Sequence, residues 1–249
     1  METCLLPDDH IALHPANLFK QPDGPVSGAF DDTYLHSRAT RPITRKSPFH
    51  FVTQLTFINH AGKSQALGCA SLLEHNVALC CIYLPEFHDM EEQLSRIMVR
   101  TAGVRATPYW FDFRLTLTSG KRIAIAVKPE RESSTYAFRQ KMEAISNIAV
   151  PEIADHVHVI SERNIDPVRL ARAKLFHAAR FPEPQLDMYV RSELVGLERP
   201  QSIKAFLAKT SLGGQGWWSV VRAIRAGVIN VTAYEAITER SVISLPGDM

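Results

Sequence analysis

The sequence predicts an α/β fold, a central mixed sheet flanked by helices, followed by a smaller helical part with a β-rich end. Three observations carry that expectation. IAIAV (123–127) is apolar at every position, the pattern of a strand covered on both faces. The two-residue turn Ser119-Gly120 joins it to the β-rich YWFDFRLTL (109–117), which makes a hairpin. Stretches with helical apolar spacing stand before and after this hairpin. With 249 residues, 45% hydrophobic and 22% charged, the chain can build one large core or two modest ones, which excludes disordered and collagen-like classes.

Taken in order, residues 1–37 hold Pro7, Pro15, Pro22 and Pro25 among scattered acids and read as a flexible acidic arm. A basic stretch follows, with Arg38, Arg41, Arg45 and Lys46, and suits either a solvated linker or a phosphate-contacting segment. FHFVTQLTFINH (49–60) alternates as a strand ending in an Ala61-Gly62 turn. CASLLEHNVALCCIYL (69–84) has helical spacing and stops at Pro85. FHDMEEQLSRIMV is a short polar stretch leading to the hairpin. Residues 131–148 suit one amphipathic helix, and DHVHVISE (155–162) a short strand. DPVRLARAKLFHAARF (166–181) suits a helix with Asp166 as N-cap and Pro167 at its first position. FPEP (181–184) is the best linker candidate. Beyond it lie two helical patterns, with Trp217, Trp218, Val221 and Ile224 as core positions, and a final hairpin within INVTAYEAITERSVISL. The expected organisation is an arm over 1–37, an α/β domain over 38–165 and a C-terminal domain over 166–249.

Residues 1–33 carry one lysine against six acids, a local charge of −5, so the overall +2 leaves +7 on the remainder. A basic body suits nucleic acid, as it suits many enzymes. No run approaches the ~18 apolar residues of a membrane helix, and the N-terminus has no basic-then-apolar pattern, so an intracellular protein without a membrane partner is expected. Cys4, Cys69, Cys80 and Cys81 show no zinc spacing and read as buried thiols.

Three charges stand in apolar settings: Glu74 within the first helix, Asp112 between Phe111 and Phe113, and Lys128 at the end of IAIAV. Buried charges are normally paired or bound to a metal. Asp112 and Lys128 lie eight or nine residues either side of the turn near 119 and 120, so the hairpin brings them together. Two carboxylates and a lysine make a site for a divalent cation and a phosphodiester. The same residues also suit a structural Asp112–Lys128 ion pair with Glu74 reaching solvent.

Glu74, Asp112 and Lys128 in AVKPE, in that order, resemble the PD-(D/E)XK restriction-endonuclease-like superfamily. SLLEHNVAL, EEQL, YWFDF and IAIAVKP together resemble TnsA-type endonucleases, subunits of heteromeric cut-and-paste DNA transposases, over about residues 36–165. The resemblance implies a restriction-endonuclease-like sheet and a winged-helix-like C-terminal domain. It makes Glu74, Asp112 and the Val127 carbonyl ligands of Mg²⁺, with Mn²⁺ as a substitute, and Lys128 the catalytic base or water-orienting group. Gln93 matches a glutamine found in such proteins and receives no catalytic role. The implied partners are double-stranded DNA at transposon ends, a DDE-type transposase and an AAA+ ATPase regulator, in a prokaryotic cytoplasm beside the nucleoid.

Two positions depart from the pattern. Phe111 replaces the proline of the PD dipeptide, where only backbone shape is needed. Ala126 stands two before the lysine, where Glu, Asp or Gln is usual, and Glu130, Glu132 or Glu143 is available to replace that ligand. Three rivals follow: a pseudo-nuclease scaffold, a restriction or repair nuclease of the same fold, and a winged-helix regulator. From residue 163 to 225 eleven Arg or Lys face five acids, which suits DNA contact or protein contact alike.

Overall fold

The computed structural model describes residues 34–41, 52–94, 96–99 and 106–247. The arm expected over 1–37 therefore lies outside the described residues as far as 33, as do Arg45 and Lys46. Among the described residues the chain divides between Asp166 and Pro167 into two units.

In the first unit, β1 (Thr53–Ile58) and β2 (Ser64–Cys69) form an antiparallel hairpin. Gly62 turns the chain at φ 72°, and Asn59 Oδ1 accepts the N–H groups of Ala61 and Lys63, each at 3.0 Å. Helix α1 (Leu72–Ile82) starts at Ser71, whose hydroxyl accepts the Glu74 N–H at 3.1 Å. Then come β3 (Phe87–Glu92), the short pair β4 (Ile97–Val99) and β5 (Thr107–Tyr109), β6 (Phe113–Leu117), β7 (Arg122–Val127), α2 (Glu130–Ser133), α3 (Tyr136–Ala149) and β8 (His156–Ile160).

The central sheet has the order β3-β6-β7-β8 and is mixed. β3, β6 and β7 run antiparallel in turn, while β7 and β8 are parallel and connected through α3, the crossover that parallel strands require. All but the first residue of β7 is buried. Ala124 and Ala126 pack with Met142, Ile145 and Ala149 of α3, and α1 lies against β1, β3 and β7. The result is a mixed central sheet flanked by helices.

Four local expectations change. The polar stretch after α1 contains β3, an edge strand of the central sheet, because its buried acids find partners far away in sequence. Residues 109–117 are two strands, since Tyr109 pairs with Ile97 and the chain breaks over 110–112 before β6 begins. SQALGC forms a strand that the sequence did not announce. The helix expected over 131–148 is two, because Thr135 is extended (φ −71°, ψ 144°) and its hydroxyl caps a new start by accepting the Phe138 N–H at 3.3 Å.

Residues Tyr34–Arg41 run along the first unit. Leu35 bridges to Gln65, the Ser37 hydroxyl donates to Glu92, and Arg38 makes a two-pronged pair with Asp89, each bond 2.8 Å. Asp89 Oδ2 also contacts His60 Nδ1 at 2.9 Å. Burial pushes the Asp89 carboxyl up, yet these partners together hold it below the usual range. Arg38 is thus a structural cation, and Arg41 stacks over the Trp110 ring at 5.3 Å.

The second unit holds α4 (Pro167–Ala178), α5 (Pro184–Val195), β9 (Gln201–Ser202), α6 (Ile203–Lys209), α7 (Trp217–Arg225), β10 (Asn230–Val231) and β11 (Val242–Ser244). Its sheet has the order β10-β11-β9, all antiparallel, so the expected final hairpin forms and β9 joins it. Val190, Leu194, Ile203, Phe206, Val220, Val221, Ile224 and Ile243 fill its core, whereas Trp218 is exposed. FPEP is no linker: it joins α4 to α5 inside this unit. Arg222 of α7 donates to the Phe181 carbonyl at 2.8 Å and pairs with Glu183 at 3.0 Å and Asp187 at 2.7 Å.

Arg222→Ala should destabilise this unit by about 2–3 kcal/mol, because it leaves two acids and a carbonyl without their common donor. Arg222→Lys should recover only part of that, lacking the guanidinium fork. Urea titrations of the three proteins give the comparison, and an unchanged midpoint in Arg222→Ala would show that the clamp contributes nothing.

Candidate active site

The break before β6 is what places Asp112. Its N–H donates to the Ile125 carbonyl at 3.0 Å and its carbonyl accepts the Gln93 N–H at 2.9 Å, so the backbone is tied to both neighbouring strands at the sheet end. Its carboxylate Oδ2 accepts the Val127 N–H at 2.7 Å, immediately before Lys128. The Gln93 side chain also hydrogen-bonds the Asp112 carboxylate.

Glu74 reaches the same region from the first turn of α1. It is buried, at 8% exposure, and both its oxygens are used: Oε2 accepts the Ala70 N–H at 2.8 Å and Oε1 the Ser71 hydroxyl at 3.1 Å. A carboxylate at this end of a helix is favoured by the unpaired N–H groups there. The Glu74 charge acts on Asp112, as does that of Lys128 in the opposite sense.

Asp112 keeps an accessible edge, yet protein packs closely around it. Burial first, and the Glu74 charge second, push its carboxyl up to about 7, against the pull of the Val127 N–H, Lys128 and Gln93. Cys69, fully buried at the end of β2, is pushed up to about 12, first by burial and then by Glu74, with Glu92 and Asp112 adding to it. It is an inert thiol in a negative surrounding. Cys80 and Cys81 are also buried.

The three residues singled out in the sequence therefore meet electrostatically, with Val127 bound directly to Asp112. Glu74, Asp112 and the Val127 carbonyl are the groups that would hold a divalent cation. No group of three or more His, Cys, Asp and Glu side chains gathers closely enough to hold a metal among the described residues. Mg²⁺ is commonly bound by one or two carboxylates while keeping several waters and substrate phosphate oxygens, and Asp112 and Glu74 are the two carboxylates that would be available to it.

Ala126 has no exposed surface and sits in the apolar cluster against α3. Glu130 is committed elsewhere, accepting from the Ser161 hydroxyl at 2.8 Å and Arg163 at 3.3 Å. Glu132 on α2 and Glu143 on α3 are both exposed. The charge of Glu132 acts on the Tyr109 hydroxyl, as does that of Asp112. Sequence reasoning missed Tyr109, whose hydroxyl is buried without a hydrogen-bond partner among the described residues. It also missed Glu92, 1% exposed, whose Oε2 is similarly unpartnered. The direction of a hydroxyl leaves no mark in a residue pattern.

Comparison of the chain with protein-family models and with curated proteins returned no match, so the site itself carries the functional reading. No helix among the described residues is long and apolar enough to cross a membrane.

The Asp112 carboxyl binds its proton more tightly folded than unfolded. Stability should therefore fall as pH rises from about 4, its ordinary range, to about 7, and be insensitive to this group outside that window. Asp112→Asn should remove the effect and stabilise the metal-free protein above pH 7 by on the order of 1–3 kcal/mol. Melting curves at pH 4 and pH 8 should show the gain only at the higher pH, and no gain at pH 8 would mean that the carboxylate is not strained.

Proposed function

We propose that the chain is a metal-dependent endodeoxyribonuclease of the restriction-endonuclease-like kind, acting as the TnsA-type subunit of a transposase that hydrolyses the non-transferred strand at transposon ends. The observation that carries this reading is the Asp112 carboxylate bonded to the Val127 N–H next to Lys128, with Glu74 from the preceding helix acting on it. The order helix, three antiparallel strands, helix and parallel strand around these residues supports it. So does the second unit, where α5, β9, α6, α7, β10 and β11 follow the order of a winged helix.

In this reading Glu74, Asp112 and the Val127 carbonyl hold Mg²⁺, or Mn²⁺ in its place. The cation supplies charge stabilisation to the phosphate and a more acidic water. Lys128 orients the attacking water or takes its proton, and offsets charge as the phosphate becomes pentacovalent. Gln93 holds the Asp112 carboxylate in place. Water attacks phosphorus, the P–O3′ bond opposite it breaks, the leaving 3′ oxygen takes up a proton, and a 5′-phosphate with a 3′-hydroxyl is the product expected of this family. A DDE-type transposase and an AAA+ ATPase regulator are the proposed partners, with double-stranded DNA as substrate and the prokaryotic nucleoid as the place of action. One observation favours a pseudo-nuclease scaffold as the second reading: Ala126 is packed into the core, so that position offers no ligand.

Full-length protein with its partner transposase, Mg²⁺ and DNA carrying transposon ends should nick the 5′ strand. Asp112→Asn and Lys128→Ala should each lower the rate by at least ~100-fold, while only Asp112→Asn loses much affinity for Mn²⁺, because an ammonium is not a ligand. Wild-type cleavage by either variant would remove these residues from the active site. Absence of cleavage by the wild type, with Mn²⁺ binding intact and assembly with the transposase preserved, would favour the scaffold.

A further inference from the structure

We infer that Arg41 and Lys141 grip the phosphates of the DNA strand on either side of the scissile one, each cation held on the face of an aromatic ring beside Asp112. This rests on the nuclease reading above and names the side chains that hold its substrate. Four arginines of the first unit, Arg38, Arg114, Arg122 and Arg163, are each paired with an acid. Arg41 and Lys141 are exposed instead, and neither makes an ion pair among the described residues. Arg41 Cζ lies 5.3 Å from the centre of the Trp110 ring, and Lys141 Nζ 5.7 Å from that of Tyr109. A ring attracts a cation through its face, so the edge N–H groups of the guanidinium and the outward protons of the ammonium stay available to an anion. A carboxylate partner would occupy those same donors.

Both cations are tied to Asp112 by short routes. Arg41 follows Thr40, whose N–H and hydroxyl donate to the Gln93 carbonyl at 3.1 and 2.8 Å, and the Gln93 N–H donates to the Asp112 carbonyl at 2.9 Å. Trp110, the ring beneath Arg41, stands two residues before Asp112. Tyr109, the ring beneath Lys141, meets the Phe111 ring edge-on, with centroids 5.3 Å apart and planes at 85°, and Phe111 adjoins Asp112. One cation therefore comes from the segment before β1 and the other from α3, and both reach the break between β5 and β6 that places Asp112. The charges of the site call for them. Glu74 and Asp112 are two carboxylates against the single Lys128, and a phosphodiester strand approaching such acids is repelled unless further cations meet its phosphates. Cations on two separate elements hold the strand at two points and set its register over the site, which one central lysine does not do.

Fluorescence anisotropy of a labelled DNA duplex with the full chain, in EDTA and over a range of salt concentrations, tests the assignment. Arg41→Gln and Lys141→Gln should each weaken binding and each reduce the slope of log affinity against log salt by about 0.9, the loss expected for one phosphate contact. Arg41→Lys keeps the charge and should keep the slope. Lys121→Gln removes an equally exposed charge at the turn of the β6–β7 hairpin, the end of the sheet away from Asp112, and should leave the slope unchanged. If Arg41→Gln and Lys141→Gln bind as the wild type does, or if Lys121→Gln costs as much as they do, the inference fails. Absence of duplex binding by the wild type at low salt overturns it as well. The nuclease reading stands or falls separately, on cleavage by the wild type with its partner transposase. Should Arg41→Gln not fold, Lys141→Gln decides by the same titration.

Discussion

Asp112 is a carboxylate that protein surrounds closely while a second carboxylate, Glu74, acts on it, and the first unit is organised around that repulsion. A charge in such a place is tolerated only if other groups answer it. Here they come from separate elements: the Val127 N–H from β7, the Gln93 side chain after β3, and the Lys128 charge. They do not answer it fully, since the carboxyl still rises to about 7. What remains is a carboxyl that holds its proton far more tightly than a solvated aspartate does.

The groups that answer Asp112 are themselves held by a second set of polar contacts. Gln93 has a left-handed backbone (φ 46°), a conformation that a non-glycine residue keeps only when its surroundings impose it. Its N–H goes to Asp112, and its carbonyl accepts both the N–H (3.1 Å) and the hydroxyl (2.8 Å) of Thr40. Ser37, Arg38 and Thr40 thus bind three places on or just after β3: Glu92, Asp89 and Gln93. The segment that read as the edge of a loose arm closes this side of the sheet and holds the residue that orients Asp112.

This division explains what could be read from the sequence. IAIAV and the Ser119-Gly120 turn define β7 and its pairing with β6 through local pattern alone, and Gly120 does take φ 82°. Counting from that turn brought Asp112 to Lys128, and the apolar run brought Glu74 into a buried helix. β3 escaped because FHDMEE looks solvent-exposed until Arg38, 51 residues earlier, is known to neutralise Asp89. Clamping by Arg222, about 40 residues later in the chain, likewise made a turn out of the proline-rich FPEP. Periodicity reports whether a side chain is apolar. It does not report which distant partner allows a polar one to be buried.

Ala126 shows how two demands compete at one position of a strand. Side chains alternate along β7, so residues 124 and 126 share the face on which α3 packs, and Met142, Ile145 and Ala149 come close enough to leave Ala126 without exposed surface. A glutamate there would have to displace part of this packing or bury its stem among apolar side chains. An alanine lets α3 settle fully on the sheet.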